Sequence, residues 1–427
     1  MKRTIDITGL AYGGSGIGRI NGKVVFVPFT APGDRAEIEI SSEKKGFTEG
    51  ILKGLILPSP LRVEPRCASF GRCGGCALQH IAYPEQVRLK QGIFEETLKR
   101  IGGIKDVSYD PPAASPEEFF YRGRARFQVN GERIGFFGIK SRSIVEVSSC
   151  PVLDPLINET YSGIRSVLST TGAVHGLFSV EIGVSSLDKR TVAVFHLEKN
   201  AGFRREALFD GVPLLKGLEV RVSRQGKRGG RKVFEDGDTS LLYETHGMRY
   251  SVHASVFSQA NLPVNGLIVQ RALRYAGLKG GERVLDLFSG AGNLTLPFAM
   301  AASAATGIES DKEAVRDAEH NASVNSAHNA RFIGESAAVW LKRNLKNLEK
   351  ESIDVVILDP PRGGDRDVAQ ILTRLRPGKT IYVSCSPPTL ARDLSVLAKR
   401  GGRHFRASLF DMFPQTYHIE GIAVAES

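Results

Sequence analysis

The sequence predicts an α/β protein of three consecutive regions, because the local residue pattern changes twice along its 427 residues. Short β-rich runs separated by glycines fill residues 1–60 and predict a small N-terminal β-barrel. Mixed helix and strand patterns over residues 61–254 predict a central α+β domain. From residue 255 to 427, strand, glycine turn and helix repeat, which predicts a doubly wound sheet. A chain of this length suits two or three domains.

Composition and charge restrict the class of protein and of partner. With 41% hydrophobic and 24% charged residues, the chain can bury a sizeable core, and its formal net charge of +11 favours a polyanionic partner. No run of 18 apolar residues occurs, and the N-terminus leads into no apolar segment. We therefore expect a cytoplasmic protein that does not enter membranes. Nothing in the sequence requires more than a monomer.

The β-rich runs of the first region are short and evenly separated; they cover residues 4–7, 24–28, 35–41 and 47–55. Such spacing predicts a small antiparallel barrel. The Gly-rich stretch 12–18 has no helix after it, so it indicates a turn between strands and not a dinucleotide-binding loop. Lys44, Lys45 and Lys53 give the barrel either a solvated face or a face that follows RNA. The region resembles the TRAM domain, an OB-like module of RNA-modifying enzymes.

Four of the five cysteines form a pattern that suits a metal cluster. Cys67, Cys73 and Cys76 are spaced C-x5-C-x2-C, and Cys150 follows far along the chain before a proline. Four thiolates can hold a 4Fe-4S cluster or a tetrahedral zinc ion, and this spacing suits iron–sulfur better than the two CxxC pairs of a zinc ribbon. It also differs from the CxxxCxxC loop of radical enzymes. We expect a structural cluster that ties residues 67–76 to Cys150.

The central region carries two basic stretches. Alternation predicts that Arg122, Arg124 and Arg126 share one face of a strand, and the stretch 121–127 offers them no acidic partner. A solvated face and a phosphate-contacting face are both compatible with this pattern, and aromatic residues on either side favour RNA. A second stretch, residues 221–232, is rich in glycine and indicates a mobile hairpin tip that either contacts RNA or solubilises the loop.

A glycine turn in the C-terminal region predicts a nucleotide-like ligand. The strand at residues 283–288 is followed by a tight turn in which Gly290 and Gly292 allow the backbone to approach a ligand. The next strand ends on Glu309, where a carboxylate can accept hydrogen bonds from ribose hydroxyls. This arrangement serves a nicotinamide dinucleotide or S-adenosylmethionine. The loop lacks a third glycine at the spacing used for a pyrophosphate, which favours the methyl donor.

Another predicted strand ends in Asp359-Pro360-Pro361-Arg362. This tetrapeptide is similar to the Asp-Pro-Pro-aromatic motif of amino-methyltransferases, in which the aromatic ring stacks on the base and the acid binds the amino group. Arg362 replaces the aromatic residue, which argues against methylation of an amino group.

Cys385 ends a short apolar run at residues 381–384, and prolines follow at once. The pattern indicates a buried strand with Cys385 at its carboxyl end, which is where ligands bind in open α/β sheets. A buried, inert cysteine is the alternative. Because the other four cysteines share one pattern, Cys385 is left as a candidate nucleophile. Glu420 precedes the closing apolar strand, so its carboxylate should lie at an end of the sheet.

Three segments together resemble the bacterial RNA 5-methyluridine methyltransferases, in the 23S ribosomal RNA branch that carries a TRAM domain and an iron–sulfur cluster. They are Phe-Ser-Gly-Ala-Gly-Asn at 288–293, Ser-Cys-Ser-Pro-Pro-Thr-Leu-Ala-Arg-Asp at 384–393 and Asp-Met-Phe-Pro-Gln-Thr-Tyr-His-Ile-Glu at 411–420. The resemblance covers nearly the whole chain. Three positions depart from the residues that are usual there: Ser386, Pro388 and Gln415.

The resemblance implies a Rossmann-like class I methyltransferase domain and a role for each site residue. Cys385 is the implied nucleophile and Glu420 the implied general base. The implied S-adenosylmethionine site is lined by Gln259, Phe288, Asn293, Glu309 and Asp359. A 4Fe-4S cluster and an RNA substrate, 23S ribosomal RNA or transfer RNA, are implied as well. Arg362 joins the three central arginines as a candidate RNA contact.

The implied chemistry explains these residue types. Carbon 5 of uracil is too poor a nucleophile to take a methyl group directly, so a thiolate first adds to carbon 6 and a base later removes the carbon 5 proton. The uridine must leave its stack to be reached. Two rivals remain. An RNA 5-methylcytosine methyltransferase typically has a second cysteine after Asp-Pro-Pro, and a non-catalytic iron–sulfur RNA-binding protein would give Cys385 and Glu420 structural roles.

Overall fold

The computed structural model describes residues 2–104, 106–172, 176–198, 205–223, 230–351, 353–399 and 404–426. At the N-terminus, five strands close into a barrel in the order β1-β2-β3-β5-β4: β1 (Lys2–Leu10), β2 (Ser15–Ile20), β3 (Lys23–Pro28), β4 (Arg35–Glu43) and β5 (Phe47–Leu57). Alternate residues such as Ile5, Ile7 and Val27 fill its interior, as the period-2 pattern predicts. The barrel is not wholly antiparallel, because β3 and β5 pair in parallel to close it.

A long helix and a short strand follow the barrel: α1 (Tyr83–Gly102) and β6 (Val107–Tyr109). Pro84 lies in the first turn of α1, and Gly103 ends the helix in a left-handed conformation. Although both elements fall in the predicted central region, neither packs there. Helix α1 packs on a helix near the C-terminus, and β6 pairs with a strand of the C-terminal sheet.

The central region is a seven-stranded sheet that carries two helices, α2 (Pro155–Thr171) and α3 (Arg205–Gly211). The strand order is β13-β12-β11-β10-β7-β8-β9, with β7 (Arg124–Asn130), β8 (Arg133–Phe137), β9 (Ile144–Val145), β10 (Leu177–Ser185), β11 (Arg190–Leu197), β12 (Leu215–Val222) and β13 (Arg231–Gly237). Asp154 is the N-cap of helix α2, and its side chain accepts a hydrogen bond from Leu156 N. The helix buries Tyr161 against Phe127.

A hairpin leads into the C-terminal region: β14 (Ser240–Thr245) and β15 (Met248–His253). The elements after it are α4 (Leu262–Ala276), β16 (Arg283–Leu287), α5 (Thr295–Ala299), β17 (Ala304–Glu309), α6 (Lys312–Val324), β18 (Ala330–Gly334), α7 (Ala337–Leu348), β19 (Val355–Leu358), α8 (Arg366–Leu375), β20 (Lys379–Ser384), α9 (Pro387–Ala398), β21 (His404–Phe410) and β22 (Glu420–Glu426).

The C-terminal sheet has eight strands in the order β18-β17-β16-β19-β20-β22-β21-β6. Strands β18 to β20 are parallel, whereas β22 runs antiparallel to β20. The carboxyl ends of the parallel strands therefore meet at the edge where β22 begins. We call this edge, with the residues that follow β16, β17, β19 and β20 and the start of β22, the catalytic edge.

The C-terminal unit draws on more than the predicted residues 255–427. Strand β6 forms an edge of its sheet, α1 packs against α9, and the hairpin β14–β15 places Tyr243 and Tyr250 in the same hydrophobic core as α4. These segments precede the boundary predicted at residue 254 and still pack on the C-terminal unit, because contacts between residues far apart in sequence decide where they pack. Among the described residues, no helix is long and apolar enough to cross a membrane.

Candidate active site

Cys385 and Glu420 meet at the catalytic edge. In the antiparallel ladder of β20 and β22, Ser384 pairs with Gly421, so the next step of this register places Cys385 opposite Glu420. Burial raises the pKa of the Cys385 thiol to about 11, and the nearby carboxylates of Glu420 and Asp359 contribute in the same direction. The guanidinium of Arg362 acts the other way and favours the thiolate.

Glu420 and Asp359 form a pair of buried carboxyls. Burial raises the pKa of Asp359 to about 7. Burial first, and then the charge of Asp359, raises the pKa of Glu420 well above its ordinary value, and this residue is only 4% exposed. Gln259 donates a hydrogen bond from Nε2 to Asp359 Oδ2 at 3.4 Å. Each carboxylate therefore makes ionisation of the other carboxyl less favourable.

The loop after β19 is fastened to α9, and this fixes Arg362 near the cysteine. Thr389 Oγ1 donates to Arg362 O at 3.2 Å, and an Arg392 guanidinium nitrogen donates to Gly363 O at 3.0 Å. Pro387 starts α9 directly after Ser386, because proline suits the first turn of a helix. Cys385 thus lies between the end of a strand and the start of a helix.

The turn after β16 has a left-handed backbone conformation that favours glycine. Phe288, Gly290 and Gly292 all have positive φ, at 68°, 54° and 91°. At Gly292 a Cβ would come within 3.1 Å of Leu296 Cγ, so glycine is needed both for this conformation and for space. Gly290 N donates to Glu309 Oε2 at 3.1 Å, which joins the turn to the end of β17.

Asn293 is held by a reciprocal pair of side-chain hydrogen bonds. Asn265 Nδ2 donates to Asn293 Oδ1 at 2.7 Å, and Asn293 Nδ2 donates to Asn265 Oδ1 at 3.0 Å. Its side chain therefore anchors the turn to α4. With Gln259, Phe288, Glu309 and Asp359, it lies around the ends of β16, β17 and β19, where the sequence predicts the methyl donor.

The structure brings the four patterned cysteines together. Charges on Cys67, Cys73 and Cys150 each affect the pKa of Cys76, so all four thiols lie within electrostatic reach of one another. Burial raises the pKa of Cys76 to about 12 and that of Cys150 to about 11. Among the described residues, no group of three or more His, Cys, Asp or Glu side chains is placed to hold a metal ion.

The central arginines differ from the expectation that they lack acidic partners. Arg124, whose side chain is only 12% exposed, pairs with Glu181 at 2.5 Å and also donates to the backbone carbonyls of Val256 and Ala254. Arg126 lies 3.3 Å from the same carboxylate and is more exposed. Glu181 comes 57 residues after Arg124, so the sequence pattern could not reveal this pairing. Arg124 is therefore occupied within the protein.

Arg122 lies just before β7 and packs over the ring of Phe413, 5.8 Å from its centroid. Of the second basic stretch, Arg221 pairs with Glu219 and Glu313. Residues 224–229 of that stretch lie outside the described residues.

A cleft of about 740 Å³ lies between the barrel, the central sheet, the catalytic edge and the loop that carries Cys67, Cys73 and Cys76, which we call the cysteine loop. Arg126 and Arg362 line it, together with Tyr12 of the barrel and Tyr417 of the segment before β22. Arg362 is exposed, and hydrogen bonding with Tyr417 and Tyr12 raises its pKa, although burial opposes that shift. Basic and aromatic side chains thus line the cleft together, and such surfaces suit single-stranded RNA.

Comparison with known proteins decides the family. The sequence profile described as tRNA (uracil-5-)-methyltransferase matches residues 84–426, and the TRAM domain profile matches residues 2–53. The chain belongs to the tRNA (uracil-5-)-methyltransferase family. It is accordingly an S-adenosylmethionine-dependent enzyme that methylates carbon 5 of uracil in RNA. The family match starts at α1, which agrees with the packing of that helix on the C-terminal unit.

Relatives of this uracil-5-methyltransferase match it from end to end. The 23S rRNA (uracil(1939)-C(5))-methyltransferase RlmD of Thiobacillus denitrificans is 34% identical over 100% of both chains. An uncharacterized RNA methyltransferase of Aquifex aeolicus is also 34% identical, over 100% of this chain and 98% of its own. The crystal structure of the Pyrococcus abyssi tRNA (uracil-54, C5)-methyltransferase with S-adenosyl-L-homocysteine is similar at a TM-score of 0.75 and 25% identity, with 100% of both chains covered.

Sequence reasoning missed several residues of this uracil-5-methyltransferase site. Asp286, in the apolar strand β16, is buried with a pKa raised to about 7, and it accepts a 2.6 Å hydrogen bond from Thr295. A charged residue inside an apolar run was the available signal. Tyr12 was read only as part of a turn. Gln86 and Lys90 of α1 were not singled out, although both are buried polar residues.

Proposed function

We propose that this enzyme methylates carbon 5 of a uridine in 23S ribosomal RNA, with Cys385 as nucleophile and Glu420 as general base. The observation that carries the proposal is the meeting of this thiol and this buried carboxyl at one edge of the sheet. The choice of 23S RNA is supported by the named activity of the RlmD relatives. Transfer RNA is the second candidate, because the similar Pyrococcus abyssi enzyme acts on it.

Cys385 would start the reaction by adding to carbon 6 of the uracil. The thiol must first lose its proton, and burial opposes that loss. Arg362 favours the thiolate, and protonation of Glu420 or Asp359 removes a repelling charge. Formation of the sulfur–carbon bond moves electrons onto carbon 5 and oxygen 4 as an enolate, which makes carbon 5 nucleophilic.

Glu420 would complete the reaction. S-adenosylmethionine supplies the electrophilic methyl group and a positive charge when bound. After carbon 5 has taken the methyl group, Glu420 removes the carbon 5 proton, the double bond between carbons 5 and 6 re-forms, and Cys385 leaves as a thiolate. Glu420 must lose its own proton before it can act, and positive charge nearby favours that loss.

The cofactor would bind across the ends of β16, β17 and β19. Because Gly290 and Gly292 have no side chains, a ligand can lie against the backbone of the turn. Phe288 offers an apolar surface beside it. Glu309 can accept hydrogen bonds from ribose hydroxyls. The remaining contacts that we propose come from Gln259, Asn293 and Asp359.

We propose that RNA lies in the cleft beside the barrel. Arg126 and Arg362 line that cleft, and Arg122, which packs over Phe413, is the third arginine that we propose. Arg124 is left out of this RNA contact set, because Glu181 and two backbone carbonyls already take its donors. One chain supplies the whole proposed site, so we propose a monomer that acts in the cytoplasm. Light scattering that showed a stable dimer would contradict the monomer.

We also propose that Cys67, Cys73, Cys76 and Cys150 hold a 4Fe-4S cluster. Their mutual proximity supports this, and each thiolate of a cubane binds a different iron, so no three need surround one ion. The cluster would tie the loop after the barrel to the segment before α2. Purification without oxygen should give about four iron and four sulfide per chain. One zinc per chain, or no metal, would contradict it.

The substrate is tested by nucleoside mass spectrometry. Purified enzyme and methyl donor are incubated with unmodified 23S ribosomal RNA and, separately, unmodified transfer RNA. We expect 5-methyluridine at one mapped position of the 23S RNA, and none with Cys385→Ala. Methylation of transfer RNA alone would overturn the 23S assignment in favour of the second candidate.

Two rival functions predict other products. A 5-methylcytosine enzyme would yield 5-methylcytosine, and it typically needs a second cysteine near Asp359-Pro360-Pro361, where this chain has Arg362. A non-catalytic RNA-binding protein would yield neither nucleoside. Under that rival, Cys385→Ala would change neither RNA binding nor the nucleoside content of the RNA.

A further inference from the structure

One face of helix α1 carries an unusual row of buried residues. Gln86 and Lys90 are each only 1% exposed, and Phe94, one turn further, is fully buried. Their spacing of four residues places all three side chains on one side of the helix. Burial of an amide and an ammonium is costly unless each finds partners. Gln86 Nε2 donates to Leu78 O and Ile81 O, just before the helix. All three side chains also contact the segment 411–421 that delivers Glu420.

Lys90 binds the start of this segment through an ion pair and a hydrogen bond. Its ammonium lies 2.6 Å from Asp411 Oδ1, with both side chains buried, and donates to Phe413 O at 3.1 Å. The hydroxyl of Tyr83, also on α1, lies close enough to Asp411 for a hydrogen bond between them to help raise the pKa of Tyr83. The Lys90–Asp411 pair is the only ion pair between two fully buried side chains that the described residues form.

Gln86 forms two hydrogen bonds with the middle of the segment. Its Nε2 donates to Gln415 Oε1 at 2.9 Å, and its Oε1 accepts from Gln415 N at 3.0 Å. Gln415 has a positive φ of 69°, and its carbonyl accepts from Ala77 N and Leu78 N, just after Cys76. The pairing thus stabilises an unfavourable backbone conformation, and it connects the cysteine loop to the segment.

Phe94 fixes the end of the segment. A Cβ on Gly421 would lie 2.5 Å from Phe94 Cε2, so the ring lies directly against the backbone next to Glu420. Although Glu420 is buried, its side chain forms no hydrogen bond with any residue in the part of the chain that the structure describes. Its position therefore depends on how its backbone is held.

We infer that α1 positions the catalytic base: Gln86, Lys90 and Phe94 hold the segment 411–421 so that the carboxyl of Glu420 reaches the uracil. This inference rests on the proposed role of Glu420. The three side chains are positioning residues, since they act through the segment that carries Glu420. Loss of these contacts should slow removal of the carbon 5 proton and should have less effect on the binding of cofactor or RNA.

The test compares Gln86→Met and Lys90→Met with Lys99→Met, a matched change on the exposed face of the same helix. The readouts are kcat, the KM values for RNA and S-adenosylmethionine, and the fraction of enzyme in a denaturant-resistant RNA adduct during turnover. Glu420→Gln provides the reference for a stalled proton removal. The melting temperature is measured for each variant. Where Lys90→Met fails to fold, the charge-free pair Lys90→Met with Asp411→Leu replaces it.

We expect Gln86→Met and the Lys90 variant to lower kcat about 10- to 100-fold, to leave both KM values within about twofold, and to raise the adduct fraction toward that of Glu420→Gln. Lys99→Met should behave as the wild type. A fall in kcat without more adduct, or no fall at all, would overturn the inference while the role of Glu420 stands. If Glu420→Gln itself forms no adduct, the proposed function fails first.

Discussion

Cys385 and Cys76 are both partly buried thiols, and burial raises the pKa of each, to about 11 and about 12. Their neighbours differ. Cys385 faces two carboxyls and a guanidinium, whereas Cys76 faces three other thiols. Carboxyls and a cation can move a proton and stabilise a thiolate, whereas a group of thiols offers the ligand set of a metal cluster. The comparison teaches that the surroundings of a cysteine, and not its burial, are what distinguish the nucleophile that we propose from the ligand that we propose.

The largest effect is expected from Cys385→Ser. A serine hydroxyl at this edge cannot form the anion needed to attack carbon 6, so methylation should fall by about 10⁴-fold or more. RNA affinity and iron content should stay within about twofold of the wild type, since neither depends on this side chain. Nucleoside mass spectrometry, filter binding and iron analysis measure the three properties. Iron loss in this variant would mean that the two cysteine sites are not separate.

The corresponding change in the four-cysteine cluster, Cys76→Ser, tests the proposed metal site. We expect loss of bound iron and a lower melting temperature, because the loop after the barrel then loses the tie to Cys150. The rate of Cys385 alkylation by iodoacetamide should change little at fixed pH. Metal analysis, calorimetry and peptide mass spectrometry report these results. An unchanged iron content would contradict the assignment of Cys76 as a ligand.

Asp359→Asn should separate binding from stability. Because the folded protein raises the pKa of Asp359 to about 7, the folded state loses stability relative to the unfolded state as pH rises from about 4 to 7. Asparagine removes that penalty, so the free energy of unfolding at pH 8 should increase by roughly 1–3 kcal/mol, with little change at pH 4. Affinity for S-adenosylmethionine should fall. Urea denaturation at both pH values and calorimetric titration test this.

The smallest effect of a substitution is expected at Arg362, and it is measured through the alkylation rate of Cys385. Alkylation of Cys385 should speed up about tenfold per pH unit between pH 7 and 10, because the thiolate fraction grows in that range. Arg362→Gln removes a neighbouring positive charge and should slow alkylation a few-fold at pH 8. Arg366→Gln, at an exposed position at the start of α8, is the control. Equal rates in all three proteins would show that Arg362 does not act on the thiol.

Much of the catalytic edge could be predicted from sequence, because strand ends are local signals. The apolar run before Cys385, the glycine turn after β16 and the acid at the end of β17 each lie within a few residues of the pattern that predicts them. The register of β20 and β22 then brings Cys385 and Glu420 together. The barrel was also predictable, since the TRAM profile covers residues 2–53.

The remaining features depend on pairings between distant residues. Gln86 and Gln415 are 329 residues apart, and Arg124 meets Glu181 only when two strands pair. The same applies to β6. This strand is only three residues long, so its sequence pattern is too weak to predict that it joins the C-terminal sheet. Such contacts follow from tertiary packing, which a single sequence does not display.

The most direct test of the central claim is the intact mass of denatured Glu420→Gln after incubation with substrate RNA and S-adenosylmethionine. Our account predicts a covalent complex in which Cys385 is joined to a uridine that already carries its methyl group, because addition and transfer proceed while proton removal stalls. The complex should vanish when Cys385→Ala is added to the same chain. Normal turnover by Glu420→Gln, or a chain free of RNA with no product formed, would contradict the pairing of this nucleophile with this base.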